Sequence, residues 1–372
     1  MDFVVLVAAL GIILLAAELF TNGIEWFGHR LNLAEGAVGS VLAAVATAMP
    51  ETLIPVIAIG GPALTGGDVE SSHAIGVGAI LGAPFMLSTL AMFVTGVAVI
   101  AFARRGRRST QMRINVGVLG RDVGFFLFGY AVAIGTAFLP ADLGALRWVV
   151  AAGLVALYAV YVRLHFADPD AASDPDELDR LHATRLPVVQ RHGVDFDLLP
   201  GEQDGEEVER ATPQMRIIVG QVAVALGLII IGAQVFVGAV DSVATGLGMD
   251  RTILALIIAP IATELPEKFN SVLWVRTGKD TLAMGNITGA MVFQSCLPTV
   301  LGLLFTTWAF TPASAISFAS AGVAFVATAL IFGSMLLRGR LSAWTLLIGG
   351  PLYLVYIYLA LFTPLGAGGT AL

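Results

Sequence analysis

Cysteine is nearly absent from the sequence, which contains Cys296 alone among 372 residues. One cysteine excludes an intramolecular disulfide framework and a cysteine-based metal cluster, so redox chemistry has no support. Charged residues are also scarce, at 13% of the chain, compared with roughly 25% in soluble domains. Hydrophobic residues make up 57%, and their runs mostly exceed the roughly 18 residues that indicate a membrane-spanning helix. These features predict an integral membrane protein whose surroundings are the lipid bilayer.

Two further absences narrow the class of membrane protein. Short alternating apolar segments are lacking, which argues against a transmembrane β-barrel. The first apolar run, Phe3 to Phe20, has no basic leader and no small-residue cleavage site, and Asp2 precedes it. We therefore interpret this run as the first membrane span and not as a signal peptide.

Acidic residues are concentrated in one segment. Thirteen of the 27 acidic residues lie between Asp168 and Glu209, in a stretch too polar to enter lipid. The stretch lacks the spaced aspartates and terminal glutamate of a Ca²⁺-binding loop, so a solvated linker is favoured over a regulatory site. The predicted domains are a first repeat at 1–165, an acidic cytoplasmic loop at 166–215 and a second repeat at 216–372.

Apolar segments on both sides of this loop predict an all-α integral membrane protein with ten transmembrane helices, five in each half. The predicted spans are 3–24, 37–60, 74–103, 115–139, 145–165, 216–243, 250–276, 281–308, 312–337 and 342–362.

The basic residues predict the orientation of these spans. They follow spans 3, 5, 7 and 9, for example in "RRGRRSTQMR" (104–113) and "RGR" (338–340), whereas "TTWAFTPAS" (306–314) on the opposite side has none. Cytoplasmic loops carry the excess of Lys and Arg. We therefore predict a multi-pass protein of the cell inner (plasma) membrane with both termini outside.

The two halves are predicted to be inverted repeats, because an odd number of spans in each half reverses the direction of the second. A shift of 216 residues places "ATAMPE" (46–51) on "ATELPE" (262–267), with four of six positions identical. Farther along the chain, "GAILGA" (78–83) parallels "GNITGA" (285–290).

The prolines in these matched segments predict broken helices. Proline lacks an amide hydrogen and displaces the carbonyl four residues earlier, so Pro50 and Pro266 should free the carbonyl groups of Ala46 and Ala262. Helices interrupted in this way expose oxygen atoms to a ligand.

Carboxylate and hydroxyl groups lie on the same helix faces as these breaks. Thr47 and Glu51 are four residues apart, as are Thr263 and Glu267, so each pair shares a face. Two such clusters would offer about six to eight oxygen atoms, the number that Ca²⁺ requires. A carboxylate at the membrane centre costs at least about 2.5–3.5 kcal/mol, which by default indicates a functional site.

These residues resemble the sodium/calcium exchanger superfamily of cation antiporters. Each repeat of that family has a Gly-Thr-Ser-x-Pro-Glu stretch, followed on the next helix by a Gly-Asn-x-x-Gly-Ser-Asn stretch, and its ten helices enclose the ion sites. The resemblance implies that Glu51 and Glu267 bind Ca²⁺ and that Thr47 and Thr263 supply hydroxyl ligands.

The sequence departs from the family pattern at several oxygen donors. Ala48 and Glu264 replace the serines after the threonines, Ala83 and Ala290 replace the later serines, and Leu87 replaces an amide or acid. Gln294 occupies the position equivalent to Leu87, and Asn286 is retained. These changes remove donors that the exchangers use for Na⁺. The full set of predicted ion-binding residues is Glu51, Glu267, Thr47, Thr263, Ala46, Ala262, Glu264, Gln294 and Asn286.

Glu264 has two interpretations. It precedes Lys268 by four residues, the favourable order for an ion pair that neutralises itself. Alternatively, Glu264 joins the ion site and Lys268 supplies a fixed charge where the exchangers hold a second cation. Two nearby carboxylates also favour retention of a proton on one of them, which slightly favours H⁺ over Na⁺ as the coupling ion unless Lys268 cancels the effect.

The predicted function is antiport of a divalent cation, with Ca²⁺ as the first candidate and Mg²⁺ or Mn²⁺ as alternatives, for H⁺ or Na⁺. A membrane-embedded metal-dependent hydrolase is a weaker alternative, because none of the five histidines is beside Glu51 or Glu267. A channel fits an inverted repeat with broken helices less well. We expect no cofactor, no enzymatic activity and no nucleic-acid partner, and the sequence leaves protein partners open.

Overall fold

The structure is a computed structural model, and it describes residues 2–48, 51–52, 55–56, 59, 69–140, 143–167, 178, 180–185, 194–198, 209–246, 264–312 and 314–363. Within these residues, eight helices are long and apolar enough to cross a membrane. Three of the ten predicted spans, 37–60, 250–276 and 312–337, lie partly outside the described residues, and helices cover most of the parts that are described.

Among the described residues of the first half there are five longer helical segments, two of which include a π-helical turn. They are α1 (Asp2–Arg30), α2 (Glu35–Thr47, with a π turn at Val38–Ala43), α3 (Val69–Met86, continued through a π turn at Leu87–Ala91 and through Met92–Arg104), α4 (Val116–Gly135) and α5 (Leu146–Phe166).

The second half contains five more labelled helices. They are α6 (Met215–Gly246), α7 (Leu265–Thr277), α8 (Asp280–Phe305), α9 (Ala315–Arg338) and α10 (Gly349–Phe362), the last preceded by a single turn at Ala343–Leu346.

Helix α1 is longer than the span predicted at 3–24, because it continues to Arg30. The extra turns contain Glu25, which accepts a hydrogen bond of 2.7 Å from Trp274 Nε1 of α7 and forms an ion pair with Lys279. These partners stabilise a charged residue that directly follows the predicted span, where an interfacial or packing role was expected.

Two short antiparallel strand pairs depart from the predicted all-α class. Strand β1 (Gln111–Met112) pairs with β4 (Leu341–Ser342), and β2 (Val194–Leu198) pairs with β3 (Glu209–Pro213) inside the acidic loop. The alternation of apolar and acidic residues in "VDFDL" (194–198) has the period of a strand, but the high charge of the whole loop obscured it.

Helix α8 is the centre of the core and packs against α2, α3, α4, α5 and α7. Helices α8 and α2 are close together because glycines of α8 face Ser40 of α2. A Cβ atom at Gly289 would collide with the carbonyl oxygen of Ser40, and one at Gly285 would lie 2.7 Å from Ser40 Oγ. Small residues permit such approach between membrane helices. The functional groups of α2 and α8 therefore lie side by side.

Candidate ion-binding site

Three helices meet at the candidate site, which is formed by the end of α2, the start of α7 and the middle of α8. The buried hydroxyl group of Thr47, the last residue of α2, lies 3.2 Å from Asn286 Oδ1 of α8 and 3.0 Å from the carbonyl oxygen of Ala43. Asn286 Nδ2 in turn donates to the carbonyl oxygen of Glu267 on α7, at 3.4 Å. Asn286 therefore joins the two matched segments of the sequence.

Three carboxylates are buried at this junction. Glu51, Glu264 and Glu267 are 8%, 1% and 1% exposed. Both carboxylate oxygens of Glu51, one of Glu264 and one of Glu267 have no hydrogen-bond partner in the part of the chain that the structure describes. Buried carboxylate oxygens are costly without a partner, so these atoms are available to a cation.

Lys268 is a buried basic residue that contacts this cluster. Its Nζ lies 2.8 Å from Glu264 Oε2, and both side chains are buried. Glu267, which precedes Lys268 directly in the chain, is buried as well. The sequence indicated this ion pair, and the structure brings it to the carboxylates.

The other predicted ligands divide into two groups. Gln294 is buried on α8 and donates a hydrogen bond of 3.4 Å to the carbonyl oxygen of Ala48, so its amide is near the end of α2. Ala46 is half-buried within α2. Thr263, Ala262 and Pro50 lie outside the described residues.

The acidic groups are not yet gathered around one point. Among the described residues, no three His, Cys, Asp or Glu side chains are arranged closely enough to hold a metal ion. Binding of a cation by all three glutamates therefore requires a change of side chains or helices.

Asn270 is a polar residue at the site that the sequence interpretation did not include. It is fully buried, and neither its Oδ1 nor its Nδ2 has a partner among the described residues. It lies three residues after Glu267 on α7, and residues at this spacing share a helix face. An amide one turn beyond Glu267 was the available signal, and it provides one more unpartnered oxygen.

A second buried polar cluster, centred on Asp122 of α4, was also missed. Asp122 Oδ2 accepts hydrogen bonds from Ser40 of α2 (2.8 Å) and Thr288 of α8 (2.6 Å), while Oδ1 accepts one from Tyr161 of α5 (3.0 Å). His165 Nε2 lies 3.0 Å from the same Oδ1. Asp122 is the one acidic residue in the predicted span 115–139. An acidic residue inside a membrane span indicates a paired or functional group, and this was the signal in the sequence.

A polar cavity of about 800 Å³ opens between α1, the 107–113 segment and the α7–α8 turn. Acidic and basic side chains line it, including Glu25, Arg108, Arg276, Lys279 and Asp280. The three glutamates of the candidate site are not among its lining residues. Trp274 lines the cavity two turns after Glu267 on α7, so α7 connects the cavity to the site.

The helices, their apolar outer faces and the buried charged core define a multi-pass helical membrane protein. The chain belongs to the sodium/calcium exchanger protein family, whose model matches residues 1–167 and 217–362. The gap between the two matches corresponds to the acidic loop. The family consists of exchangers and not of enzymes, which disfavours the hydrolase alternative.

Individual relatives are distant and match over limited lengths. Cation/calcium exchanger 2 of Arabidopsis thaliana is 24% identical over 197 residues, which are 51% of this chain and 32% of the relative. The putative antiporter CaxA of Alkalimonas amylolytica is 35% identical over 69 residues, 18% of this chain and 22% of the relative. The matches thus span a third or less of each curated relative.

Solved structures of the sodium-calcium exchanger NCX_Mj have the same fold. The structure soaked with 2.5 mM Na⁺ and 0.1 mM Ca²⁺ has a TM-score of 0.67 at 15% identity, over 97% of this chain and 98% of that chain. The structure soaked with 100 mM Na⁺ and 10 mM Sr²⁺ also has a TM-score of 0.67 at 15% identity, over 96% and 97%.

Proposed function

We propose that the chain is a secondary antiporter that exchanges Ca²⁺, or another divalent cation such as Mg²⁺ or Mn²⁺, for H⁺ or Na⁺. One observation carries the proposal: Glu51, Glu264 and Glu267 are buried among membrane helices with carboxylate oxygens that have no partner in the described residues. Carboxylates in such a setting require a balancing charge. Family membership and the NCX_Mj fold support a cation in that role.

The donor chemistry supports a hard divalent cation as the transported ion. Carboxylate oxygens of Glu51 and Glu267, the hydroxyl of Thr47 and the amides of Asn270 and Asn286 are all oxygen donors. Oxygen ligands suit Ca²⁺, Mg²⁺ and Mn²⁺. Ca²⁺ accepts the largest and least regular set of such ligands, and it is therefore our first choice.

Alternating access is the proposed mechanism of transport. The donors lie on α2, at Glu51 after the end of α2, on α7 and on α8. Among the described residues, no three acidic, His or Cys side chains are arranged to hold a metal ion. A carrier must gather its ligands around the ion and release them on the other side, so this arrangement agrees with movement of α2 and α7 relative to α8. We propose that residues 1–165 and 216–372 are the two inverted repeats that make this movement.

We propose H⁺ as the coupling ion, with Na⁺ as the alternative. The positions where the family has additional oxygen donors are the buried apolar residues Ala48, Ala83, Leu87 and Ala290, so little remains to build several Na⁺ sites. The pairing of Lys268 with Glu264 reduces the case for Glu264 as the proton carrier, which leaves Glu51 and Glu267.

Ion gradients applied separately test both the activity and the coupling ion. We expect purified protein in Ca²⁺-loaded liposomes to move Ca²⁺ under a pH gradient without a Na⁺ gradient. Movement driven by Na⁺ alone would replace H⁺ by Na⁺ in the proposal. If neither gradient moves Ca²⁺, Mg²⁺ or Mn²⁺, divalent antiport is contradicted. Liposomes without protein are the control for leakage.

The proposed location is the cell inner (plasma) membrane, with the acidic loop (166–215) in the cytoplasm and both termini outside. The positions of Arg107, Arg108, Arg113 and Arg276 support this orientation, because these residues line one polar cavity at the ends of the helices. Excess basic residues are typical of the cytoplasmic face.

Cysteine labelling tests the orientation. A Gly201→Cys variant in a Cys296→Ser background should resist an impermeant maleimide in intact cells and react after permeabilisation. The matched control is Thr307→Cys in the same background, since Thr307 is exposed after α8 on the opposite side, and it should react in intact cells. Ready labelling at 201 combined with protection at 307 would reverse the proposed topology.

A further inference from the structure

Lys268 is a buried basic residue that lies next to acidic residues of the candidate site. It follows Glu267 directly on α7, and its Nζ is 2.8 Å from Glu264 Oε2 and 3.5 Å from the Glu264 carbonyl oxygen. The exposed fractions of the Lys268 and Glu264 side chains are 5% and 2%. The ammonium group is therefore held inside the protein by one carboxylate.

Several carboxylate oxygens at the candidate site remain without a hydrogen-bond partner even though Lys268 is paired with Glu264. Glu264 Oε1 has no partner among the described residues, nor does either carboxylate oxygen of Glu51. Glu267, the chain neighbour of Lys268, also has one carboxylate oxygen without a partner among these residues, so the pair lies beside a carboxylate that is available to a cation. An ion pair with a purely structural role could lie anywhere in the core and would not have to lie beside the candidate ion-binding carboxylates.

The charges at this position determine what the site can hold. If all three glutamates are ionised when a cation is bound, Glu51, Glu264 and Glu267 contribute three negative charges and Lys268 contributes one positive charge, which leaves two negative charges. One divalent cation balances that number without a companion ion. Without Lys268, one divalent cation would leave a negative charge buried, at a high cost in free energy.

We propose that Lys268 is a tethered cation that permanently occupies the place of one monovalent ion, so that the site binds a divalent cation alone. The inference rests on the proposed antiport. It adds that Lys268 decides whether a monovalent cation must bind together with the divalent cation. Replacing Lys268 should create a new binding site for a small monovalent cation beside Glu264.

Ca²⁺ self-exchange tests this proposal without any driving gradient. Liposomes with ⁴⁵Ca²⁺ inside and unlabelled Ca²⁺ outside are assayed at alkaline pH, where protons are scarce, with choline as the only other cation. We expect the wild-type rate in choline to equal its rate in Na⁺. We expect Lys268→Met to lose about tenfold or more in choline, and to recover when Na⁺ or NH₄⁺ is added, because the missing charge corresponds to at least one factor of ten in binding.

A charge-matched double variant separates ion balance from stability. Glu264→Gln with Lys268→Met removes both members of the pair and keeps two negative charges, so its exchange should not depend on Na⁺ or NH₄⁺. Glu264→Gln alone leaves one negative charge too few and should lose exchange in every monovalent ion. A structural pair would predict weaker folding of the single variants without any dependence on monovalent ions.

The outcomes distinguish this inference from the proposed function. No wild-type exchange of Ca²⁺, Mg²⁺ or Mn²⁺ would contradict the antiporter itself. Wild-type exchange together with equal Lys268→Met activity in choline and Na⁺ would contradict the tethered cation alone. If Lys268→Met does not fold, a double variant that requires Na⁺ or NH₄⁺ overturns the proposal, and one that does not require them supports it.

Discussion

Replacing either Glu51 or Glu267 with Gln is expected to reduce Ca²⁺ transport about a hundredfold or more. In the proposed antiporter, each change removes one of the buried charges that would balance a divalent ion. An uncompensated buried charge costs roughly 3 kcal/mol or more, and about 1.4 kcal/mol corresponds to a factor of ten. Gln retains nearly the same shape as Glu, so the fold should be preserved. The measurement is ⁴⁵Ca²⁺ uptake into inverted membrane vesicles.

The matched control for these two variants is Glu18→Gln, the same chemical change on α1. The side chain of Glu18 is 52% exposed and lies 3.9 Å from His182, away from the three glutamates. Its uptake should stay close to that of the wild type. Normal uptake by both the Glu51 and Glu267 variants would disprove the assignment of the ion site.

Replacing Asp122 with Ala is expected to lower the free energy of unfolding by at least about 3 kcal/mol, because Asp122 is the shared acceptor of several buried donors. The change removes the acceptor of Ser40 and one of the two acceptors of both Tyr161 and Thr288, and it also removes the carboxylate beside His165. Each orphaned buried donor adds about 1–3 kcal/mol. Denaturant unfolding in detergent micelles measures the loss.

Ser320→Ala provides the comparison for Asp122→Ala. Ser320 is a buried residue of α9 whose hydroxyl bonds only to carbonyl oxygens, those of Leu81 (3.2 Å) and Ser317 (2.6 Å). Its loss should cost no more than about 1.5 kcal/mol. Equal stability of the two variants would show that the Asp122 cluster does not hold the four helices together.

The membrane class and most of the helices could be predicted because long apolar runs have few alternatives in a bilayer. The end of α1 could not be predicted from the sequence, because its last turns depend on contacts of Glu25 with Trp274 and Lys279. These residues are about 250 positions away in the chain, and hydropathy carries no information about such pairing.

The candidate site could be predicted in part for a similar reason. Glu51 and Glu267 stood out because charge is rare in an apolar span and because the motif occurs twice. The hydrogen-bonded link between the two segments could not be predicted from the sequence. It passes through Asn286, whose bonds to Thr47 and to the Glu267 backbone depend on the packing of α8. Asn270 was missed because an uncharged amide is a weak signal in sequence.

The Asp122 cluster makes the two halves of the molecule energetically unequal. Thr288 and Leu81 occupy equivalent positions in the aligned "GNITGA" and "GAILGA" segments, yet Thr288 bonds to a carboxylate whereas Leu81 offers a carbonyl to Ser320. If the proposed antiporter works by exchange of conformations between two inverted repeats, identical halves would make its inward-facing and outward-facing forms equally populated. The Leu81 carbonyl accepts hydrogen bonds from the hydroxyls of Ser320 and Tyr130 and has no carboxylate partner among the described residues. Because the contacts of the two halves differ in this way, the empty protein should rest facing one side. Its affinity for Ca²⁺ should then differ between the two faces of the membrane.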